Sequence, residues 1–256
     1  MKSLLVAMRR RIGSLLEWLL PIKVSVTFPS VKVRAARVEW RYFRRGSLKN
    51  LDSLGYSRLV ELPSSDVLEA YYTDEYWGSY RPKEGRSVNS RDIVHFDIIR
   101  SHLTGKGLFL NFGAGHGGIS HLVDAQNGWQ VFEVEPSSEG TVGQITTFKT
   151  LKKLPNLNFD VIYSSHSLEH VSDLRETLSG LLALSSQKTI FFFEVPEGEL
   201  DAKAGRPVAP HTYYFREQFF ERIFTERIDC RDTRLQEDAI RVMGKGLNRK
   251  FIESLD

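Results

Sequence analysis

Only one cysteine, Cys230, occurs in 256 residues. That excludes an intrachain disulfide framework and any cysteine-rich zinc site, and it points to a reducing, cytoplasmic setting. Long apolar runs are missing as well: no stretch reaches the roughly 18–20 uncharged apolar residues that a helical membrane span requires. The first apolar run, Leu4–Met8, stops at Arg9-Arg10-Arg11. It falls short of the about 7–15 apolar residues of a secretory signal core. Internal repeats and low-complexity tracts are absent too. What remains is 41% hydrophobic and 26% charged, a composition that buries a normal core.

Charge is unevenly spread. Residues 1–50 hold twelve Lys and Arg against Glu17 and Glu39, a charge of +10, so the rest of the chain carries −7 of the net +3. Residues 3–20 have the pattern of an amphipathic helix, with Leu5, Met8, Ile12, Leu15, Leu16 and Leu19 on one face, and Pro21 ends it. This basic segment fits peripheral attachment to an anionic membrane surface, at the inner face of a membrane. Packing of the helix on its own domain or on a second subunit fits equally. The charge would suit nucleic acid, but no recognition motif accompanies it. Residues 22–45 read as short strands or an irregular basic arm. An aromatic stretch follows, with Tyr71, Tyr72, Tyr76, Trp77 and Tyr80. It suits a lid or an acceptor pocket, and core packing or a dimer contact explains it as well.

A helix capped by Asn89 or Ser90 is expected to run to about Leu103, closed by Gly105. Beyond it, strand-like runs at Leu108–Phe112, Gln130–Glu135, Gln144–Phe148, Phe159–Ser164, Thr189–Val195, Thr225–Asp232 and Ala239–Gly244 alternate with helical patterns. The helical segments are Ile119–Ala125, Leu168–Leu184 and Phe215–Phe224. Alternation of this kind predicts a mostly parallel α/β sheet with right-handed crossovers. The last two runs leave no room for a helix between them and should pair antiparallel. We therefore divide the chain into an N-terminal extension, residues 1–88, and an α/β domain, residues 89–256.

The strongest chemical signal is Leu108-Phe-Leu-Asn-Phe-Gly-Ala-Gly-His-Gly-Gly118, a strand, a glycine-rich turn and a helix start in succession. Gly113, Gly115 and Gly117 permit positive φ and close approach of backbone to a ligand. The helix start offers unpaired N–H groups. Glu135 ends the next strand 22 residues after Gly113, where doubly wound nucleotide folds present a carboxylate to ribose hydroxyls. The loop fits Gly113-x-Gly115-x-x-Gly118, the NAD fingerprint, and Gly113-x-Gly115-x-Gly117.

The second pattern, with its surroundings, resembles the class I S-adenosylmethionine-dependent methyltransferases. Glu133-Val-Glu-Pro-Ser137, Phe159-Asp-Val-Ile162, Leu168-Glu-His-Val171, Phe193-Glu-Val-Pro-Glu197 and His211-Thr-Tyr-Tyr-Phe215 occur in that family's order from about Ile93 to Gly244. The resemblance implies a doubly wound, mostly parallel seven-stranded Rossmann-like sheet binding S-adenosyl-L-methionine. Asn111, Gly113, Ala114, Gly115, His116, Gly117, Glu135 and Ser165 would then hold the cofactor, with Ser164, Ser165 and His166 lining the methyl-transfer cleft. Asn111 stands where the family usually has an acid. Between Pro136 and Gln144 there is no room for the usual crossover helix. Thr147-Phe-Lys-Thr150 lacks the Asp that meets adenine, leaving Phe148 as a stacking partner.

Methyl transfer requires alignment of the acceptor with an already activated methyl group. A hydroxyl acceptor also requires a base, and His166, His170 and His211 are the candidates. A small molecule or a glycan or lipid-linked acceptor suits this chemistry. Two other classes remain open on the same fold, a non-catalytic binding module and an NAD-dependent oxidoreductase. His166-Ser-Leu-Glu-His170 also matches the H-x-x-E-H of inverted zinc proteases, with Glu237 far enough downstream to be a third ligand. That chemistry needs both histidines on one helical turn. Here a strand precedes His166, so no metal site is expected and Glu169 and His170 are assigned to fixing the loop.

Overall fold

The computed structural model describes residues 39–44, 46–72, 88–198, 207–208, 210–232, 234 and 238–255. The expected helix over 3–20, residues 22–38 of the basic arm and Tyr76–Tyr80 lie outside these residues. Among the described residues no helix is long and apolar enough to cross a membrane.

The central sheet is built from β3 (Gly107–Phe112), β4 (Trp129–Val134), β5 (Gly140–Val142), β6 (Ile145–Phe148), β7 (Phe159–Ser165), β8 (Ser185–Pro196), β10 (Phe224–Ile228) and β11 (Ala239–Leu247). Their spatial order is β10-β11-β8-β7-β3-β4-β6-β5. The inner pairs β4/β6, β3/β4, β3/β7 and β7/β8 are parallel. β10 and β11 pair antiparallel, as their short separation predicts. Strands buried on both faces explain the uninterrupted apolar runs in the sequence. Along β3, Phe109 packs on one side with α2 (Ser90–Ile99) and α3 (Gly118–Asp124). Its neighbour Leu110 packs on the other side with α4 (Leu174–Ala183), α5 (Glu217–Ile223) and α6 (Arg249–Glu253). The period of two along the strand thus makes a three-layer α/β domain.

The expected seven strands are eight. Ten residues, Glu135 to Gln144, separate β4 from β6, too few for a crossover helix. The chain returns instead as the edge strand β5, antiparallel to β6 through the two-residue turn Gly143–Gln144. Gly143 has φ +64°, the left-handed value that such a hairpin turn requires at its first central residue.

One helix also differs from the pattern. Leu168–Leu184 is interrupted: Leu168–His170 forms a single tight turn, and α4 starts afresh where the Asp173 side chain accepts from Glu176 N–H at 2.8 Å. α2 begins where expected, closed by a reciprocal capping box between Asn89 and Asp92.

Residues of the N-terminal extension join the fold. β1 (Leu48–Leu51) and β2 (Tyr56–Leu59) form an antiparallel three-stranded sheet with β9 (Tyr213–Phe215). α1 (Ser65–Tyr71) follows. Tyr56 is fully buried against Tyr213, Phe215 and Phe219, with ring centroids 5.7–6.3 Å apart. Tyr56→Ala should therefore cost about 3–5 kcal/mol in urea unfolding. Val142→Ala, on the exposed edge strand, should stay within about 0.5 kcal/mol.

Candidate functional site

A cavity of about 790 Å³ opens at the carboxyl ends of β3, β4 and β7, where open α/β sheets place their ligands. All eight residues expected to hold a cofactor (Asn111, Gly113, Ala114, Gly115, His116, Gly117, Glu135 and Ser165) line it. Gly113, Gly115 and Gly117 adopt φ of +74°, +53° and +68°. A Cβ on Gly113 would lie 2.0 Å from Ser167 Oγ, so neither its conformation nor its surroundings admit a side chain.

Glu135 clamps this loop. Its Oε2 accepts the Gly115 N–H at 2.9 Å, and its Oε1 accepts from Ser137 N–H and Oγ–H at 3.1 and 2.8 Å. Three of a carboxylate's roughly four acceptor positions are thereby used, leaving one for a ligand hydroxyl. Asn111 is buried, and its amide donates to Ser120 Oγ at 3.0 Å, tying β3 to α3 beneath the loop. Phe148 does not line the cavity. It stacks on Phe132 with centroids 6.3 Å apart, and the wall there is Lys149, Thr150, Leu151 and Lys152. Ser164 is fully buried away from the cavity, because alternation along β7 turns its neighbour Ser165 towards it.

His166 and His170 also line the cavity, joined to the glycine loop through Ser167, whose Oγ–H donates to the Gly113 carbonyl at 3.2 Å. His166 is the one non-glycine with positive φ, +50°, among the described residues, and strained backbone of this kind concentrates at functional sites. Its Nε2 lies 3.1 Å from Glu194 Oε1 and its Nδ1 3.4 Å from Glu169 Oε1. Burial lowers the His166 pKa, but the two carboxylates outweigh it and push the ring up to about 9, so it is an imidazolium at neutral pH. Burial pushes His170 down to about 4 despite Glu169 beside it, so this ring is neutral. His211 does not line the cavity. It stands behind His170, with ring centroids 4.8 Å apart. The H-x-x-E-H segment divides as the sequence suggests, with His166 just past β7 and His170 in the Leu168–His170 turn. Glu237 lies outside the described residues.

The sequence reading missed Glu194. This side chain is fully buried near the end of β8 and gathers His95 Nε2 (3.0 Å), Ser165 Oγ (3.0 Å), His166 Nε2 and Arg241 Nε, with Arg91 at 3.6 Å. These partners hold its carboxyl far below the usual range against the cost of burial. A lone charge inside the apolar run Thr189–Val195 was the available signal. His95, to which no role was assigned, is buried between Glu194 and the Tyr163 hydroxyl at 2.7 Å.

Glu194→Gln leaves the partly buried His166 and Arg241 without their counter-charge, so urea unfolding at pH 7 should show a loss of about 1–3 kcal/mol. A carboxyl held low in the fold stabilises above its ordinary value near 4.5 and loses that contribution as pH falls. The gap between wild type and variant should accordingly narrow below about pH 4.5.

Known proteins share the fold that builds this cavity. A solved 1,6-didemethyltoxoflavin-N1-methyltransferase from Burkholderia thailandensis, with bound 1,6-didemethyltoxoflavin and S-adenosylhomocysteine, is 16% identical. It covers 79% of this chain and 100% of its own at a TM-score of 0.54, a likeness of fold. An S-adenosylmethionine-dependent methyltransferase from Mesorhizobium loti is 15% identical over 59% of this chain and 97% of its own, with a TM-score of 0.43. The chain spans 51% of a protein from an antibiotic biosynthesis pathway of Anabaena variabilis, 22% identical over 47% of this chain with a TM-score of 0.38. No curated protein sequence matches. The family described as a methyltransferase domain matches residues 100–232, just over half of the sequence. The chain thus belongs to the methyltransferase-domain family, built on the class I, S-adenosylmethionine-dependent fold.

Proposed function

We propose that this chain methylates a hydroxyl of a small-molecule or glycan or lipid-linked acceptor, using S-adenosyl-L-methionine. The observation that carries the reading is one cavity lined both by the Glu135-clamped glycine loop and by the His166–His170 pair. Positive-φ glycines let backbone come close to a ligand, and Glu135 keeps an acceptor position for a ribose hydroxyl. The residues present therefore suit the cofactor, which supplies an already activated methyl group on a sulfonium.

The chain's own side chains have the remaining work. Asn111, Gly113, Ala114, Gly115, His116, Gly117, Glu135 and Ser165 bind and orient. His166, protonated at neutral pH and held by Glu194 and Glu169 through its two ring nitrogens, supplies a fixed positive charge beside the acceptor. His170, neutral with Glu169 at 3.7 Å, is the ring placed to take up the hydroxyl proton. His211 backs it. Two features that favoured a non-catalytic module have structural explanations. β5 replaces the missing crossover helix, and the Asn111 amide serves the β3–α3 junction.

For the basic segment 1–50 we propose an anionic membrane surface as partner, which would bring a lipid-linked acceptor to the cavity. The full chain should sediment with anionic vesicles at low salt and be released at high salt; no binding at low salt would contradict this.

Isothermal titration with S-adenosylhomocysteine tests the cofactor. Binding should be saturable, abolished by Gly115→Arg and weakened about 10- to 100-fold by Glu135→Ala, the value of hydrogen bonds to a charged group. Binding of NADH instead would move the reading to an oxidoreductase.

A further inference from the structure

We propose that Glu169, His170 and His211 form a binding site for a divalent transition-metal cation at the acceptor end of the cavity. One ring nitrogen from each histidine and one carboxylate oxygen lie within 4.8 Å of one another. Ligand atoms in tetrahedral array at about 2.0–2.2 Å from one ion lie roughly 3.3–3.6 Å apart. The widest pair of the three therefore has to draw in by up to roughly 1–1.5 Å, within reach of side-chain rotation.

The second observation is the state of Glu169. Its side chain is buried, and neither carboxylate oxygen has a hydrogen-bond partner. A buried carboxylate is costly to leave in that condition. The nearest nitrogens, His166 Nδ1 at 3.4 Å and His170 Nε2 at 3.7 Å, make ion-pair contacts without a hydrogen bond. His166 is engaged through its other nitrogen with Glu194. His170 Nδ1 faces the Pro210 carbonyl at 3.4 Å, an acceptor that assigns the ring proton to that nitrogen. The Nε2 lone pair therefore faces a carboxylate oxygen with no hydrogen between them. A cation between the two turns that repulsion into ligation.

The scaffold around the three residues is fixed. Thr212 N–H and Oγ–H both donate to the Glu169 carbonyl, at 2.7 and 2.8 Å, and the hydroxyl also reaches the Val171 carbonyl at 2.7 Å. This clasp holds His211, one residue earlier, against the Glu169–His170 turn although about forty residues separate them in the sequence. Tyr72 packs edge-on against the His170 ring at 5.7 Å. Two imidazoles and one carboxylate suit Zn²⁺, Co²⁺ or Mn²⁺ better than Mg²⁺ or Ca²⁺, which prefer all-oxygen ligands. Three protein ligands leave coordination positions open, and His170 places them at the cavity. A cation there would hold the His170 Nε2 lone pair and so take over that ring's part as base, polarising an acceptor oxygen and easing loss of its proton. The site goes beyond the methyl-transfer reading, since it stands whichever acceptor is used.

The test is a titration of the metal-stripped full chain with Co²⁺, followed by visible absorption, and with Zn²⁺ by calorimetry. S-adenosylhomocysteine binding and circular dichroism are measured on the same samples. One Co²⁺ per chain with a visible ligand-field band is expected, displaced by Zn²⁺ and not by Mg²⁺. His211→Ala, at a partly exposed position, should weaken binding at least about tenfold while keeping the fold. Glu169→Gln should do the same where it folds. Absence of saturable Co²⁺ binding, or binding unchanged in folded His211→Ala, overturns the proposal. If S-adenosylhomocysteine still binds in those samples, only the metal site falls and the cofactor reading stands.

Discussion

Burying Glu194 without a counter-charge would cost several kcal/mol, and the part of the cavity lined by Arg91, Ser165 and His166 is arranged around meeting that demand. Arg91 and His95 come from α2, Ser165 and His166 from the end of β7, and Arg241 from β11. One carboxylate thus joins a helix on one face of the sheet to two strands within it. The same contacts fix His166 in its positive-φ conformation and give its ring a proton at neutral pH. With His166 held, Glu169 and His170 follow within four residues, and Thr212 brings His211 up behind them.

The cofactor side is organised by a second carboxylate with a different task. Glu135 accepts from the glycine loop and from Ser137, so it shapes the cradle before any ligand arrives. Val134, one residue earlier, accepts both Gly113 N–H and Ala114 N–H through its carbonyl, at 2.8 and 3.1 Å. Preorganisation of this kind removes the cost of ordering the loop upon binding.

Much of this was legible because it is local. The Asn89–Asp92 capping box, the apolar runs of the inner strands and the glycine loop each occupy a few consecutive residues. The glycine loop and Glu135 could be paired from spacing alone. β5 was not legible, since its three exposed residues, Gly140, Thr141 and Val142, carry no apolar pattern. The break before α4 was hidden because Leu168–Leu184 keeps a helical period across the Asp173 cap. Glu194 escaped assignment for a deeper reason: its partners reach back to Arg91 and His95 in α2, and only the folded sheet brings them together. The closeness of Glu169, His170 and His211 depends likewise on the Thr212 clasp.

A crystal structure of the full chain with S-adenosylhomocysteine tests the central claim most directly. The account predicts the ribose at Glu135, the glycine loop around the ligand's backbone-facing edge, and the sulfur directed at His166 and His170. A ligand seated elsewhere, or one whose sulfur faces away from those histidines, would contradict it.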